Sequence, residues 1–338
     1  MIVVMSPNTS NEQVGRVVDQ LNRNGVDSFI VPGLNRKTVE VFGDTNGLVR
    51  SVLQNFPMVE SIRDGGDPIL AVGRQPEDTT FEIPLGNAET IGGKKIALIA
   101  GPCAVESLDQ VLEIAHAVKN AGAVALRGGA FKPRTSPYSF QGHGEPGLEM
   151  LARAREETGL AVITEVMRCD YVELVAKYAD VLQVGSRNMH NTQLLAAVGE
   201  QEKPVLLKRG WGATLKEFLL AAEYIMLRGN PNVILCERGI RTYETYVRNT
   251  LALAVVPEVK RISRLPIIVD PSHGTGRSHL VAPMSNASIA CGADGLIIEV
   301  HNRPQVAWTD ADQALDRDQF TALAQGLQAF AGACNRTL

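Results

Sequence analysis

Eight cations of this chain stand just after apolar runs of the sequence. They are Arg127, Lys132, Arg134, Arg187, Lys208, Arg209, Arg238 and Arg241. Cations gathered in one concave site repel one another unless anions bind there. The planar fork of Arg suits the paired oxygens of phosphate and carboxylate groups. The pattern therefore predicts substrates with more than one such group, whereas a surface salt bridge is the alternative for any single cation.

A second group combines a thiol, an imidazole and two carboxylates, although its members lie far apart in the sequence. They are Cys103, His273, Glu299 and Asp310. Together these side chains suit a borderline divalent ion such as manganese, iron, cobalt or zinc. A lone Cys is more often a small buried residue. Ordinary structural positions therefore remain the alternative interpretation of this group when spacing is the only guide.

Apolar runs of strand length must position both groups. The runs span residues 96–100, 124–126, 161–164, 181–184, 204–207, 233–236, 267–269 and 295–299. Amphipathic segments alternate with them or follow the last, for example at 108–120, 148–158, 214–228, 279–291 and 316–333. Such alternation over about 240 residues predicts an α/β chain with a closed (β/α)8 TIM barrel, whose active site lies at the carboxyl ends of the strands. An open doubly wound sheet is the alternative, but no GxGxxG follows the first run.

The beginning of the chain predicts a separate small unit. Strand-like runs at 2–5, 28–31, 38–42 and 58–62 combine with helical segments at 11–24 and 46–55. This βαββαβ order is the ferredoxin-like pattern. We therefore divide the chain into a ferredoxin-like domain at 1–66, a linker and hairpin at 67–95, and a catalytic barrel at 96–338. The linker is rich in Gly, Pro and charge, which predicts a flexible connection.

Charge and composition exclude several classes of protein. The chain has 33 basic and 37 acidic residues, a net charge of −4, which argues against a general nucleic-acid binder. Five cysteines without a CxxC pair argue against a disulfide framework. The sequence shows neither a signal-peptide pattern nor a membrane-spanning stretch. We expect a cytoplasmic protein that contacts neither nucleic acid nor membrane.

The motifs at the predicted strand ends resemble those of a known family. In chain order they are GPCAVES, RGGAFKPRTSPYSFQG, TEV, GSRN, LKRG, CERG, DPSH and IEVH with a later Asp. They closely resemble the type I beta 3-deoxy-D-arabino-heptulosonate 7-phosphate (DAHP) synthases, from Ile96 to the C-terminus. The long block at Arg127–Gly142 is the most specific of them. The ferredoxin-like unit resembles the ACT-like regulatory domain that some members carry.

The resemblance implies an activity and a set of ligands. Members condense phosphoenolpyruvate with D-erythrose 4-phosphate and water, giving DAHP and phosphate in the first step of the shikimate pathway to aromatic amino acids. One divalent metal ion is expected on Cys103, His273, Glu299 and Asp310. The barrel is expected in a homotetramer, and tyrosine or phenylalanine is expected to inhibit through the regulatory domain.

The resemblance also implies roles for single residues. Lys132 and Glu165 are expected to act in catalysis together with Cys103 and His273. The residues expected to bind phosphoenolpyruvate are Arg127, Lys132, Arg187, Lys208 and Arg238. Arg134 and Thr135 are expected to bind erythrose 4-phosphate, and Ser186 and Arg209 complete the substrate-binding set. For Arg209, Glu237 and Arg241, salt bridges that hold the other cations in place are the alternative.

Two other functions remain as alternatives. The related 3-deoxy-D-manno-octulosonate 8-phosphate synthases use arabinose 5-phosphate as the acceptor. Their corresponding loop typically has the sequence KANRSS, where this chain has KPRTSP at Lys132–Pro137. A non-catalytic amino-acid sensor would fit the ferredoxin-like unit, but it would not require the cations and the metal-ligand set.

Overall fold

A computed structural model describes residues 1–7, 9–31, 37–42, 47–63, 72–73, 81–134 and 136–338 of the chain. Most of the predicted linker therefore lies outside the described residues. Residues 1–63 form a four-stranded sheet with two helices, and residues 81–338 form a closed barrel with its surrounding helices. Within the described residues, no helix is long and apolar enough to cross a membrane.

The small N-terminal unit has the predicted βαββαβ order. Its elements are β1 (Ile2–Met5), α1 (Asn11–Arg23), β2 (Asp27–Val31), β3 (Thr38–Phe42), α2 (Gly47–Leu53) and β4 (Val59–Arg63). The sheet is antiparallel with the order β2-β3-β1-β4. A capping box of Ser10 and Gln13 starts α1, and its Val14, Val17 and Leu21 pack into the core of the unit. This confirms the ferredoxin-like fold.

A short hairpin leads from the described part of the linker into the barrel. It consists of β5 (Ile83–Pro84) and β6 (Thr90–Ile91), which pair antiparallel. Ile83, Leu85 and Ile91 are fully buried against the amino ends of the barrel strands. Gly92 has a φ of +113°, and a Cβ there would lie 2.1 Å from the Phe81 carbonyl oxygen. The hairpin therefore caps the end of the barrel opposite to the predicted active site.

Eight parallel strands close the barrel, which confirms the predicted fold class. They are β7 (Ala97–Gly101), β8 (Ala125–Arg127), β9 (Ala161–Glu165), β10 (Val181–Val184), β11 (Val205–Lys208), β12 (Val233–Glu237), β13 (Ile267–Val269) and β14 (Gly295–Glu299). Closure comes from the pairing of β14 with β7, where Glu299 lies opposite Gly101. The first and last strands of the barrel therefore end side by side.

Nine helices of the described residues surround or follow the strands. They are α3 (Leu108–Asn120), α4 (Glu145–Thr158), α5 (Val172–Tyr178), α6 (Thr192–Gly199), α7 (Leu215–Met226), α8 (Val255–Ile262), α9 (Pro271–Thr275), α10 (Ser278–Ala290) and α11 (Arg317–Ala333). α4 begins three residues earlier than the apolar period predicts, at Glu145. Pro146 lies in its first turn, where a missing N–H costs nothing.

Candidate active site

One cavity opens at the carboxyl ends of the barrel strands, with a volume of about 350 Å³. Its wall is mostly polar and carries six of the eight cations together with His273 and Asp310, which adjoin Cys103 and Glu299. The lining residues are Arg127, Lys132, Pro133, Arg134, Ser136, Ser139, Glu165, Gln183, Gly185, Ser186, Arg187, Lys208, Trp211, Arg238, Arg248, His273 and Asp310. The cavity is therefore the place where the predicted chemistry can occur.

The four candidate metal ligands converge at one side of this cavity. One ligand atom from each of Cys103, His273, Glu299 and Asp310 lies within 4.8 Å of all the others. The Cys103 thiol donates to Asp310 Oδ2 at 3.1 Å. His273 Nε2 lies 3.2 Å from Glu299 Oε1 and 3.9 Å from Asp310 Oδ2. Barrel closure brings these residues together, because Cys103 follows β7, Glu299 ends β14 and His273 lies in α9 beside them.

Neighbouring polar groups fix the orientation of these ligands. His273 Nδ1 lies 2.8 Å from Asp270 Oδ2, on the ring side opposite to the cluster. Arg127 Nη1 donates to Glu299 Oε1 at 3.1 Å, and Lys132 Nζ donates to the Cys103 carbonyl at 2.8 Å and to its Sγ at 2.9 Å. A carboxylate behind an imidazole is the usual support for a metal-binding His.

Burial and neighbouring charges shift the pKa values of Cys103 and Asp310 in opposite directions. Burial raises the pKa of the Cys103 thiol to about 12, and the Glu299 carboxylate adds to this effect. Burial also acts to raise the pKa of Asp310, but the charges of His273 and Arg248 outweigh it and hold the pKa far below its usual range. A buried thiol beside two carboxylates becomes a thiolate only if a further positive charge is present.

The donor set fits a divalent metal ion. Two carboxylates, a sulfur and an imidazole nitrogen point at one small volume, and three of these groups carry or can take negative charge. Without a cation between them, carboxylates at this distance repel one another. Sulfur, nitrogen and oxygen donors in one site match manganese, iron, cobalt or zinc better than magnesium or calcium. The structure thus contains a group that can hold such an ion.

Buried cations line the cavity beside the ligand group. Arg127, Lys132, Lys208 and Arg238 are each 9% exposed or less. Lys208 Nζ donates to Asp270 Oδ2. Arg238 Nη1 and Arg127 Nε are buried and make no hydrogen bond with the described residues. Burial lowers the pKa of Arg238, which shows how poorly its charge is solvated. Buried N–H groups without acceptors are what an anion-binding site presents before its ligand arrives.

Arg187 and Arg134 reach the cavity from loops. Arg187 Nη1 donates to the Pro133 carbonyl, and its guanidinium lies 5.7 Å from the centre of the Trp211 ring. Arg134 Nε donates to the Phe140 carbonyl at 3.0 Å. Ser186 precedes Arg187 and also lines the cavity. Thr135 lies outside the described residues, so its predicted contact with erythrose 4-phosphate stays a prediction.

Glu165 ends β9 and lines the cavity beside Gly185. A Cβ at Gly185 would lie only 2.0 Å from Glu165 Oε1. The glycine of the GSRN motif therefore leaves room for the Glu165 carboxylate of the TEV motif, so the two motifs pack closely against each other. This explains in steric terms why a glycine stands at that strand end.

Two of the eight cations do not line the cavity. Arg209 Nη1 donates to Glu237 Oε2 at 2.8 Å, and its Nε and Nη2 donate to the Ala213 carbonyl. Arg241 stacks on Trp211, with 5.2 Å between its guanidinium and the ring centre. Arg209 thus has the salt-bridge setting that the sequence left open as its alternative, and unlike its neighbour Lys208 it does not line the cavity.

Sequence reasoning missed three residues that line the cavity, namely Gln183, Trp211 and Arg248. Gln183 lies within β10, where a polar residue in an otherwise apolar run was an available signal. Trp211 directly follows the LKRG motif. Arg248 lies in the long segment between β12 and α8, and no motif marks it. The single sequence signal for Arg248 was that its segment follows a barrel strand, at the end where the active site is expected.

The loop that carries Lys132 and Arg134 is held by aromatic contacts. Phe140 lies edge-on against His143 and Trp308, with ring centres 5.0 Å and 4.9 Å apart. The Trp308 N–H donates to Glu106 Oε1 at 2.8 Å. Trp308 belongs to the segment that carries Asp310, so these contacts join the loop of the cations to the segment of the metal-ligand group.

Comparisons with known proteins agree across both units. The profile of the DAHP synthetase I family matches residues 80–333, and that of the DAHP synthase ferredoxin-like domain matches residues 1–64. Over 335 residues the chain is 45% identical to a phospho-2-dehydro-3-deoxyheptonate aldolase of Thermotoga maritima, covering 98% of each chain. A 2-dehydro-3-deoxyphosphooctonate aldolase of Syntrophobacter fumaroxidans is 31% identical, with 71% of this chain and 88% of the relative covered.

Solved structures show the same relationship. A crystal structure of phospho-2-dehydro-3-deoxyheptonate aldolase (DAHP synthase) from Thermotoga maritima has a TM-score of 0.79 at 43% identity, covering 99% of this chain and 98% of the other. A truncated form of 3-deoxy-D-arabino-heptulosonate 7-phosphate synthase from the same organism has a TM-score of 0.75 at 44% identity, covering 80% of this chain and 99% of the other.

Proposed function

This chain belongs to the DAHP synthetase I family, and from that premise we propose that it condenses phosphoenolpyruvate with D-erythrose 4-phosphate and water. The products are DAHP and inorganic phosphate, in the first, cytoplasmic step of the shikimate pathway. The observation that carries the proposal is the convergence of four metal-type ligands, two of which line the cavity, beside buried and incompletely bonded cations.

Phosphoenolpyruvate, with its phosphate and carboxylate, binds to the cations that line the cavity. Arg127, Lys132, Arg187, Lys208 and Arg238 bind it. The unpaired Nη1 of Arg238 and Nε of Arg127 support this assignment, because an anion would supply the acceptors that they lack. Arg134, which lines the cavity, binds the phosphate of erythrose 4-phosphate together with Thr135. The two phosphates are thereby held apart, with the reacting carbons between them.

Cys103, His273, Glu299 and Asp310 would hold one divalent ion, which when bound supplies Lewis acidity toward the aldehyde oxygen. The chain's own groups direct the other steps. The cations orient phosphoenolpyruvate so that its C3 forms the new bond to the aldehyde carbon. The electron-poor C2 then takes the hydroxide of a water molecule whose other proton passes to a base, and the proton of the new C2 hydroxyl goes to the phosphate as it leaves. Loss of phosphate by C–O cleavage gives the ketone of DAHP.

Lys132 and Glu165 handle protons in this scheme. Lys132 Nζ lies 2.9 Å from Cys103 Sγ, beside the proposed metal site, which supports a role as proton donor to the aldehyde oxygen. Lys132 donates a proton to that oxygen. Glu165 lines the cavity on the β9 side and accepts the proton from the attacking water. Both roles require only the side chains already present in the cavity wall.

An assay of phosphate release tests the proposal. The metal-loaded protein, given phosphoenolpyruvate and erythrose 4-phosphate, should release phosphate, and a chelator should stop the reaction. Replacement of erythrose 4-phosphate by arabinose 5-phosphate separates the proposed activity from that of the octulosonate synthases. A faster reaction with arabinose 5-phosphate would favour the alternative acceptor, and release of no phosphate with either aldose would favour a non-catalytic sensor.

The ferredoxin-like unit supports a regulatory role for the first 66 residues. We propose that tyrosine or phenylalanine binds to this unit, between copies from different subunits of a homotetramer, and closes it over the barrel mouth. Such inhibition requires tighter binding of the amino acid to the closed arrangement.

Deletion of residues 1–66 tests this role. The deletion should leave the condensation largely intact and abolish inhibition by tyrosine and phenylalanine. The solved structure of a truncated relative, which covers 80% of this chain, supports folding of the barrel alone. Unchanged inhibition of the truncated enzyme would place the effector site on the barrel.

A further inference from the structure

The segment Arg248–Asn249, between β12 and α8, contacts the surroundings of three candidate metal ligands at once. No motif points to it, and neither residue belongs to the proposed catalytic or substrate-binding set. Its contacts nevertheless converge on the elements that carry His273, Glu299 and Asp310.

The side chain of Arg248 joins the two carboxylates of the ligand group. Arg248 Nη1 donates to Asp310 Oδ1 at 3.1 Å and to Gln313 Oε1 at 3.1 Å. Gln313 in turn donates its Nε2 to Glu299 Oε2 at 2.7 Å. Gln313 is 2% exposed and Glu299 is 1% exposed, so the bond between them is protected from water, whereas the Arg248–Asp310 bond lies at the exposed end of the chain of hydrogen bonds. Each carboxylate keeps its other oxygen for the ligand group.

The backbone side of the segment is tied to the His273 helix. The Arg248 N–H donates to the Thr275 carbonyl at 2.8 Å, and Asn249 Nδ2 donates to the His273 carbonyl at 3.1 Å. Gly276 has a φ of +69°, and a Cβ there would lie 2.5 Å from Arg248 Cβ. This close approach leaves the segment little freedom to move relative to α9.

We infer that Arg248 and Gln313 are positioning residues, which set the Asp310 and Glu299 carboxylates at the correct distance from His273 for a divalent ion. The inference rests on the metal site of the proposed function. Asp310 has a left-handed backbone with a φ of 51°, which is uncommon outside glycine although Asp adopts it more readily than most residues, and a side-chain restraint helps to maintain it. The bond from Arg248, itself fixed to α9, provides that restraint.

A purely electrostatic role for Arg248 predicts the opposite effect. A guanidinium near a bound cation repels it, so removal of the charge alone would tighten metal binding. Loss of positioning weakens binding instead, and changes to the groups that orient metal ligands typically cost 10- to 100-fold in affinity. Gln313 is neutral, so its replacement changes the positioning without any change of charge.

Cobalt titration of the metal-free, full-length protein tests the inference. The variants are Arg248→Met, Arg248→Lys and Gln313→Leu, and the control is Arg261→Met, an exposed residue that pairs with Glu258 within α8. The dissociation constant for Co²⁺ is measured by calorimetry, and the cobalt–thiolate absorption band reports on Cys103. Circular dichroism confirms that each variant is folded.

We expect a 10- to 100-fold weaker Co²⁺ affinity for Arg248→Met and Gln313→Leu. Arg248→Lys should recover part of this loss, and the control should match the parent. The thiolate band should persist in all variants, because Cys103 is held independently by Lys132.

Two results would overturn the inference in different ways. Normal Co²⁺ affinity in Gln313→Leu with equal or tighter binding in Arg248→Met refutes positioning and leaves the metal site intact. Absence of a thiolate band in the parent protein refutes the metal site itself, and the inference with it. If Arg248→Met does not fold, Arg248→Lys and Gln313→Leu decide the question.

Discussion

Two neighbouring layers of side chains inside the same barrel differ completely in chemistry. The apolar layer lies nearer the amino ends of the strands. It contains Ala125, Ile163, Leu206 and Ile297, which belong to one apolar cluster. Two residues further along the same strands stand Arg127, Glu165, Lys208 and Glu299. Side chains two apart on a strand point to the same face, so both layers fill the barrel interior. Leu206 is 0% and Lys208 is 4% exposed, which shows that burial does not distinguish them.

The two layers differ in whether their side chains find all of their interaction partners within the protein. The apolar layer is satisfied by close packing alone. The polar layer contains ion pairs, such as Lys208 with Asp270 and Arg127 with Glu299, but also the unpaired Nη1 of Arg238. Buried charge without full compensation costs free energy. The comparison teaches that the apolar layer stabilises the barrel, and that the polar layer needs ligands to complete its bonding.

The largest effect is expected from a change in the polar layer that removes a metal ligand. Cys103→Ala should abolish metal binding and lower the rate by about 10³-fold or more, since Lewis-acid stabilisation is worth several kcal/mol. Metal content and initial rates of phosphate release measure both effects. Cys291→Ala, at the end of α10 and away from the cavity, serves as the control. Parent-like activity of Cys103→Ala after metal removal would contradict the assignment.

A smaller effect, of a different kind, is expected in the apolar layer. Leu206→Ala should lower the free energy of unfolding by about 2–5 kcal/mol, because it leaves a cavity in a fully buried cluster. Urea unfolding followed by circular dichroism measures this. The Michaelis constant for phosphoenolpyruvate should stay close to that of the parent. A large rise in that constant at unchanged stability would show that the two layers are not separable.

The smallest of these effects is expected when Lys208 and Arg209, two adjacent cations, are replaced one at a time. Lys208→Ala should raise the Michaelis constant for phosphoenolpyruvate about 10- to 150-fold, because a hydrogen bond to a charged group is worth about 1.5–3 kcal/mol. Arg209→Ala should leave the constant nearly unchanged, since Arg209 faces Glu237 and Ala213. Steady-state kinetics on both variants checks the difference. Equal rises in the two variants would place Arg209 in the substrate site as well.

Much of the fold and part of the site were predictable from the sequence. Each of the eight strands begins and ends within one residue of its prediction, and β8, β9, β11 and β12 extend by one residue to the polar side chain after the apolar run, such as Glu165 and Lys208. The short helices α5, α6, α8 and α9 were not among the predicted segments, because five to eight residues give too few turns for a clear period. Thr135 and most of the linker lie outside the described residues.

The contrast between Lys208 and Arg209 shows a limit of sequence analysis. Val205, Leu206 and Leu207 are all apolar and buried, because a parallel barrel strand is covered on both faces. Such a run has no alternation, so it does not reveal which of the two following cations points inward. The structure decides that Lys208 lines the cavity and that Arg209 pairs with Glu237 behind its wall.

By itself the sequence determined the succession of elements, the family motifs and the residue types collected at the strand ends, because these depend on local periodicity and composition. Tertiary structure alone decided which residues meet. Cys103 reaches Asp310, and Arg248 reaches both Asp310 and Gln313, only after closure places β14 beside β7 and fixes the loops at one end. Contacts between such distant positions depend on the closed path of the backbone, which no local pattern of side chains encodes.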